Sequence, residues 1–205
     1  KLAKIFLDEK KALLSVILLE GCWVYSYITG YYGFNPDVIL LFLLPLMTYV
    51  FYQCMAQNKN IDWIKLGLIV GICFLNKYQT ALIVIPMFIW ALIFKRSVFK
   101  NKMFYLSMII AFLLFLPHLI WMINYDFFPL KYFEGELEGS SFQDHIKAPL
   151  TIFVMQIIAA IGSILIFFGI KYRQKSSFKL VQNYEKEKVW FLLLFYFFPL
   201  IFTMI

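Results

Sequence analysis

Long charge-poor apolar runs are the feature that most limits what this chain can fold into. Five of them are each about long enough to cross a bilayer core of roughly 30 Å as a helix, and they lie at 12–33, 38–56, 103–123, 148–170 and 189–205. The short alternating segments that membrane-spanning strands need are absent from the sequence. With 62% hydrophobic residues, the composition also lies outside the soluble globular range. The sequence therefore predicts an all-α polytopic membrane protein.

Another apolar stretch, of 32 residues from Trp63 to Phe94, contains Lys77 near its middle. A lysine in hydrocarbon costs at least about 2.5 kcal/mol, so Lys77 marks a functional site or lies outside the hydrocarbon. As one tilted span, the stretch would leave six Lys and Arg residues on one side of the membrane and ten on the other. As two short helices that meet at 76–79, it leaves sixteen on one side and three on the other. The positive-inside rule favours the two-helix arrangement.

This arrangement predicts about seven transmembrane or half-spanning helices, near 12–33, 37–56, 63–76, 79–94, 103–123, 149–170 and 189–205. The extracytoplasmic face then carries the 29–36 turn, the 76–79 turn and a loop over 124–147. The two central helices reach only about 20–24 Å at the usual rise per residue, so their turn is expected to lie in a hydrated recess. We interpret residues 1–205 as part of a single transmembrane domain and expect further spans beyond both ends.

Lys77 and Tyr78 are the first candidate site residues. A fixed lysine at the outer face suits a phosphate, which it holds as a point charge. Tyr78 offers a hydroxyl, or a ring that stacks on a sugar or a lipid. The structural alternative is that the pair only anchors the protein at the membrane interface, as aromatic and basic residues commonly do.

Asp37 and Asn124 are weaker candidates, at the ends of two other spans. Asn35 and Pro36 suit the N-cap and first turn of a helix, and Asp37 there complements the helix dipole. The functional alternative is that Asp37 faces the same recess as Lys77. Asn124 ends the fifth span at the outer face and suits a cap or a polar ligand.

Other polar or reactive residues favour structural roles. The three cysteines, Cys22, Cys54 and Cys73, lie in apolar segments and are interpreted as packing residues. His118 has no partner at metal-ligand spacing, so we expect no metal site. Glu20 is an acid within a span, which is a functional candidate by default or a hydrogen-bonded structural carboxyl. The net charge of +7 is explained by topology, so no nucleic-acid partner is expected.

Four segments in order, at 3–11, 35–42, 67–78 and 116–124, resemble a known family. Residues 67–78 are similar to its Gly-Leu-x-x-Gly-x-x-x-Leu-Thr-Lys-Tyr segment, and 116–124 to its Pro-x-x-x-Trp-Asn segment. The chain, over roughly residues 1–140, resembles bacterial membrane glycosyltransferases of family 39. These are relatives of the dolichyl-phosphate-mannose protein mannosyltransferases and of the lipid A aminoarabinose transferase, and they have the GT-C fold.

The resemblance implies a multi-pass protein of the bacterial inner membrane that transfers a sugar with inversion. The donor would be a polyprenyl-phosphate sugar, with no cofactor, and the acceptor a lipid, a glycan or a protein at the extracytoplasmic face. The catalytic general base of this family lies in a first outer loop, which is expected upstream of Lys1. Lys77 would bind the donor phosphate with Tyr78 beside it, and Asp37 and Asn124 would line the donor or acceptor cavity.

Two further hypotheses belong to other functional classes. A secondary transporter would use 63–94 as a broken-helix substrate site, and internal repeats, which would favour it, are not evident in the sequence. A non-catalytic membrane scaffold is the other alternative.

Overall fold

The computed structural model describes residues 1–20, 22, 35–129, 131, 142–174 and 185–202. The eight α-helices within these ranges are α1 (Ala3–Phe6), α2 (Glu9–Glu20), α3 (Pro36–Gln57), α4 (Asn60–Asn76), α5 (Ala81–Phe94), α6 (Lys102–Asn124), α7 (Phe142–Gln174) and α8 (Lys186–Phe202). Short 3₁₀ helices at Tyr78–Thr80 and Arg96–Lys100 precede α5 and α6. The described residues form no strand, so the all-α prediction is confirmed.

Three of the described helices are long and apolar enough to cross a membrane. These segments are Pro36–Gln57, Lys102–Asn124 and Leu150–Arg173, and Tyr78–Phe94 is a shorter apolar segment. Residues 21 and 23–34 lie outside the described residues, so only the first part of the predicted span 12–33 is observed. The helix predicted at 149–170 is longer than expected and begins at Phe142, which makes the last residues of the predicted 124–147 loop helical. Apolarity marks only the part of a helix within the membrane, so it cannot reveal a polar extension.

The predicted division of the 63–94 stretch is confirmed. Helix α4 ends at Asn76, Lys77 is extended with φ −162°, and a 3₁₀ turn leads into α5 at Ala81. Helix α4 begins at Asn60 rather than 63, because its first turn is polar and lies before the apolar run. Its 17 residues span about 25 Å and the 14 residues of α5 about 21 Å at the standard rise.

Helix α4 packs between α3 and α6, and two glycines bring it close to α6. A Cβ on Gly67 would lie 2.5 Å from the carbonyl oxygen of Ser107, and one on Gly71 would lie 2.8 Å from Leu114 Cδ1. Glycines four residues apart on one helix face allow two backbones to approach closely. The GxxxG pattern therefore sets the distance between α4 and α6.

We expect Gly67→Ala to lower the thermal stability of the full-length protein. The added methyl would contact the Ser107 backbone, which cannot rotate away, and overpacking of this kind costs about 1–3 kcal/mol. Gly169→Ala in α7 is the matched control, since a Cβ there meets nothing within 4 Å. Melting temperatures of both variants in the same detergent provide the measurement. Equal melting temperatures would contradict the close packing at Gly67.

An aromatic cluster joins α8 to α3 and α5. Trp90 and Phe191 are fully buried, and their rings meet edge to face at 5.2 Å between centroids. Trp90 Nε1 donates to the carbonyl oxygen of Glu187 at 3.1 Å, and Lys95 Nζ pairs with the Glu187 carboxylate at 3.0 Å. Because Lys95 follows the last residue of α5 and Glu187 lies in the first turn of α8, these two neighbouring helices run antiparallel.

The burial of the cysteines agrees with the packing role that the sequence predicts for them. Cys54 and Cys73 are buried in the core, as expected of packing residues, and Cys22 is half-buried. The side chain of Glu20 lies outside the described residues.

Helix α7 packs on α2, where the Ser163 hydroxyl donates to the carbonyl oxygen of Leu18.

Candidate functional site at the helix break

The break between α4 and α5 is held in shape by hydrogen bonds from both of its sides. The backbone N–H of Lys77 still donates to the carbonyl oxygen of Cys73 at 2.9 Å. The hydroxyl of Thr80, which is fully buried, donates to the same oxygen at 2.9 Å. The carbonyl oxygen of Cys73 thus links the end of α4 to the 3₁₀ turn before α5. The Lys77 side chain therefore projects from a turn that hydrogen bonds hold in place.

Lys77 forms an ion pair with Asp37, forty residues earlier in the chain. Lys77 Nζ lies 2.7 Å from Asp37 Oδ1, and the two side chains are 35% and 47% exposed. A second link ties the same turns together, because Asn76 Nδ2 donates to the carbonyl oxygen of Pro36 at 2.8 Å. The structure therefore brings together the two charged candidates that the sequence placed in one recess.

The start of α3 fixes the Asp37 side of the pair. Asn35 is the N-cap of α3, and its Oδ1 accepts from the backbone N–H groups of Asp37 at 2.8 Å and of Val38 at 3.2 Å. Pro36 occupies the first turn, where its fixed φ and missing N–H suit a helix start. Capping by Asn35 leaves the Asp37 carboxylate free to face Lys77.

A groove of about 960 Å³ begins at Asp37, the acidic member of this ion pair. It is bounded by α1, α3, α5 and α8, with Asp37 and Gln79 among its lining residues and apolar side chains along most of its wall, including Leu40, Leu44, Leu82, Ile83, Phe191 and Phe195. Lys188 also lines it. Because Lys188 lies at the start of α8 and α8 is antiparallel to α5, this lysine marks the end farthest from Lys77.

Tyr78 points away from the ion pair, toward α6. Its hydroxyl lies 2.5 Å from His118 Nε2 and donates to Met122 Sδ at 3.5 Å. Its ring packs edge to face on Phe115, with 6.4 Å between centroids. Among the described residues that line the groove there is neither Tyr78 nor Lys77, but Lys77 is joined to the groove through its ion pair with Asp37. The structure therefore separates Tyr78 from Lys77, although the two are adjacent in sequence.

Asn124 stands apart from the other candidates. It is the last residue of α6 and is exposed, and no hydrogen bond joins its side chain to another described residue. His118, for which the sequence offered no metal-ligand partner, bonds to Tyr78 and stacks on Trp121. Among the described residues, no group of three His, Cys, Asp or Glu side chains is placed to hold a metal ion.

Sequence analysis missed two residues of this site. Gln79 lines the groove, as Asp37 does, and His118 is the partner of the Tyr78 hydroxyl. Gln79 lies in the predicted turn, so its position was the available signal. The Tyr78–His118 contact joins residues forty positions apart, and no local pattern reveals such a pair.

Comparison with known protein families identifies a match over the first part of the chain. The sequence model of the family described as dolichyl-phosphate-mannose-protein mannosyltransferase matches residues 1–121. This range covers more than half of the chain and includes Asp37, Lys77 and Tyr78, but not Asn124. Neither a curated protein nor a solved structure matches the chain.

Proposed function

This chain belongs to the dolichyl-phosphate-mannose-protein mannosyltransferase family, and on that premise we propose that it uses a polyprenyl-phosphate sugar as donor. It is a membrane glycosyltransferase of the GT-C type. The proposed acceptor is a lipid, a glycan or a protein, and the proposed place of transfer is the extracytoplasmic face of a bacterial inner membrane. Family membership also favours the transferase over the transporter and scaffold hypotheses.

One observation carries the proposal: Asp37, the ion-pair partner of Lys77, lines one end of a long apolar groove. A polyprenyl phosphate has the matching chemistry, with a hydrocarbon chain that gains about 25 cal/mol for each Å² it buries and one anionic end. With the chain along Leu44 and Leu82, the phosphate lies near Lys77. Helix α5 limits the apolar length available to about 20 Å, so only the first isoprene units are enclosed.

In the proposed reaction, Lys77 stabilises the phosphate that leaves when the acceptor oxygen bonds to the sugar. An ammonium group has three N–H donors. One is directed at Asp37 Oδ1, which leaves two for phosphate oxygens. A charge fixed beside the leaving oxygen contributes most when negative charge accumulates there in the transition state.

Asp37 is proposed to hold Lys77 in position and not to act as the general base. Its Oδ1 already accepts from the lysine ammonium at 2.7 Å, so this oxygen is engaged by Lys77 and not by an acceptor hydroxyl. Its negative charge beside a bound phosphate is offset in part by the positive end of α3, in whose first turn it lies.

Binding of the donor's lipid tests this proposal without requiring turnover. We expect the full-length protein in nanodiscs to bind a polyprenyl phosphate more tightly than the matching polyprenol, because only the phosphate pairs with Lys77. Lys77→Ala should remove that difference and keep the binding of the polyprenol, which depends on the groove. Affinities are measured by quenching of tryptophan fluorescence.

Lys131→Ala is the matched control for the binding experiment. Lys131 is an exposed lysine that the charge pattern places at the same outer face as Lys77, so its removal changes the net charge equally. This variant should still prefer the phosphate. If wild-type protein binds the two lipids equally, or if Lys131→Ala loses the preference as Lys77→Ala does, the site is not at Lys77.

A further inference from the structure

A second group of lysines lies at the opposite end of α4 from Lys77, at the end that the charge pattern assigns to the other membrane face. Lys59 follows the end of α3 and precedes α4. Lys100 and Lys102 lie on either side of Asn101, and Lys102 is the first residue of α6. We call these three residues the basic cluster. All three are exposed, and none forms an ion pair with another residue in the ranges that the structure describes.

A hydrogen bond between two loops brings the basic cluster together. Asn101 Nδ2 donates to Asn58 Oδ1 at 2.6 Å, and the same oxygen accepts from Trp63 Nε1 at 3.0 Å. Asn58 is held in the left-handed conformation with φ 51°. Because Lys59 adjoins Asn58 and the other two lysines adjoin Asn101, the backbones of the three lysines converge at one hydrogen-bonded contact.

Nearby acids do not neutralise the basic cluster. Asp62 is buried and pairs with Lys65 at 3.3 Å, and Glu187 pairs with Lys95 at 3.0 Å. Both carboxylates are therefore matched by other lysines, and the described structure leaves the three charges of the cluster uncompensated. Such a surface attracts anions, and the attraction grows where several charges act on one group.

Two exposed apolar side chains follow lysines of the cluster closely along the chain. Ile61 is 53% exposed two residues after Lys59, and Tyr105 is 50% exposed three residues after Lys102. Residues three apart share one face of a helix. The Tyr105 hydroxyl donates to the carbonyl oxygen of Phe99 at 2.9 Å, which fixes the ring at the boundary. An anion held here would therefore have hydrocarbon contacts as well as charge contacts.

We propose that the basic cluster is a binding site for the headgroup of an anionic phospholipid, distinct from the donor site at Lys77. The lysines hold the lipid phosphate and Ile61 and Tyr105 contact its acyl chains. This combination favours a membrane lipid over a soluble phosphate, which lacks the apolar part. The site joins the loops before α4 and α6, the two helices that pack through Gly67.

The proposal is tested by lipid binding to the full-length protein, measured by native mass spectrometry with phosphatidylglycerol and phosphatidylcholine. Wild-type protein should prefer phosphatidylglycerol, and the preference should fall as salt rises because the charges are exposed. A basic residue near an anionic surface contributes roughly a fivefold factor in affinity. Lys59→Gln, Lys100→Gln and Lys102→Gln together should therefore remove most of the preference.

The matched control removes the same charge from elsewhere on the side of the membrane that the charge pattern assigns to the cluster. Lys10→Gln, Lys171→Gln and Arg173→Gln together change three exposed residues and should keep the preference. An equal loss in both triple variants would show a general effect of surface charge and overturn the site. A wild-type protein without preference, or displacement of phosphatidylglycerol by millimolar inorganic phosphate, would also overturn it.

A charge-neutral variant tests the role of the loop contact. Asn101→Ser keeps an oxygen that can cap α6, as Asn101 Oδ1 does for the N–H of Met103 at 2.9 Å, but it cannot reach Asn58. With all three lysines retained, we expect the preference for phosphatidylglycerol to weaken severalfold. An unchanged preference would contradict the convergence of the lysines through Asn58.

Discussion

Lys77→Ala is expected to lower the rate of sugar transfer by about 10²- to 10³-fold, the usual effect of removing one charge that stabilises a leaving oxyanion. The variant should still insert and fold, because Asn76 and Thr80 hold the turn through their own hydrogen bonds. The rate is measured with full-length protein at saturating polyprenyl-phosphate sugar, so that weaker donor binding does not contribute. If Lys77→Ala shows wild-type activity and wild-type donor affinity, Lys77 is only an interfacial anchor.

Two substitutions separate charge from geometry at this site. Lys77→Arg should retain part of the activity, since a guanidinium keeps the positive charge but directs its donors differently. Asp37→Asn should lower the rate less than Lys77→Ala, because the amide oxygen can still accept from Lys77 and Asn35 continues to cap α3. A larger loss in Asp37→Asn than in Lys77→Ala would indicate that Asp37 itself reacts with the substrate.

The membrane topology predicts an all-or-none difference in chemical labelling. In a background without the native cysteines, Lys77→Cys is expected to react with a membrane-impermeant thiol reagent added from outside, whereas Ser97→Cys is not. The reason is that, in the predicted topology, α5 carries the chain across the membrane between these two positions. Ser97 is exposed, so burial in the protein would not explain its protection, and it should react after the membrane is permeabilised.

Lys131→Cys supplies the positive control for the outer face. It should react from outside at least as fast as Lys77→Cys, because Lys131 is exposed whereas Lys77 is 35% exposed and paired. Reaction of Ser97→Cys in intact cells, or protection of both test positions, would contradict the arrangement of α4 and α5 as an outward and a returning helix.

The helices and the break could be predicted because both depend on local properties of the chain. Apolar run length sets where helices cross the bilayer, and the count of lysines on each side requires the chain to turn near Lys77. Asn35 and Pro36 likewise indicate the start of α3, because Asn is favoured at the N-cap and Pro in the first turn of a helix. These signals do not depend on which helices become neighbours.

The directions of Lys77 and Tyr78 could not be predicted in the same way. Lys77 is extended and Tyr78 begins a 3₁₀ turn, so adjacent side chains leave the backbone on different sides, one toward Asp37 and the other toward His118. The groove depends on the packing of α8 against α5 through Trp90 and Phe191, elements about a hundred residues apart. Uniformly apolar helices carry no periodicity that specifies such partners.

The shared carbonyl of Cys73 has a thermodynamic consequence for catalysis. Confining one residue's backbone costs about 1–2 kcal/mol, so ordering the five residues 76–80 during each catalytic cycle would require roughly 5–10 kcal/mol. The hydrogen bonds of Lys77 and Thr80 to that carbonyl mean that this entropy is lost once, when the protein folds. In the proposed reaction, a donor phosphate would then meet an ammonium group already in place, and the binding energy would remain available to lower the barrier to transfer.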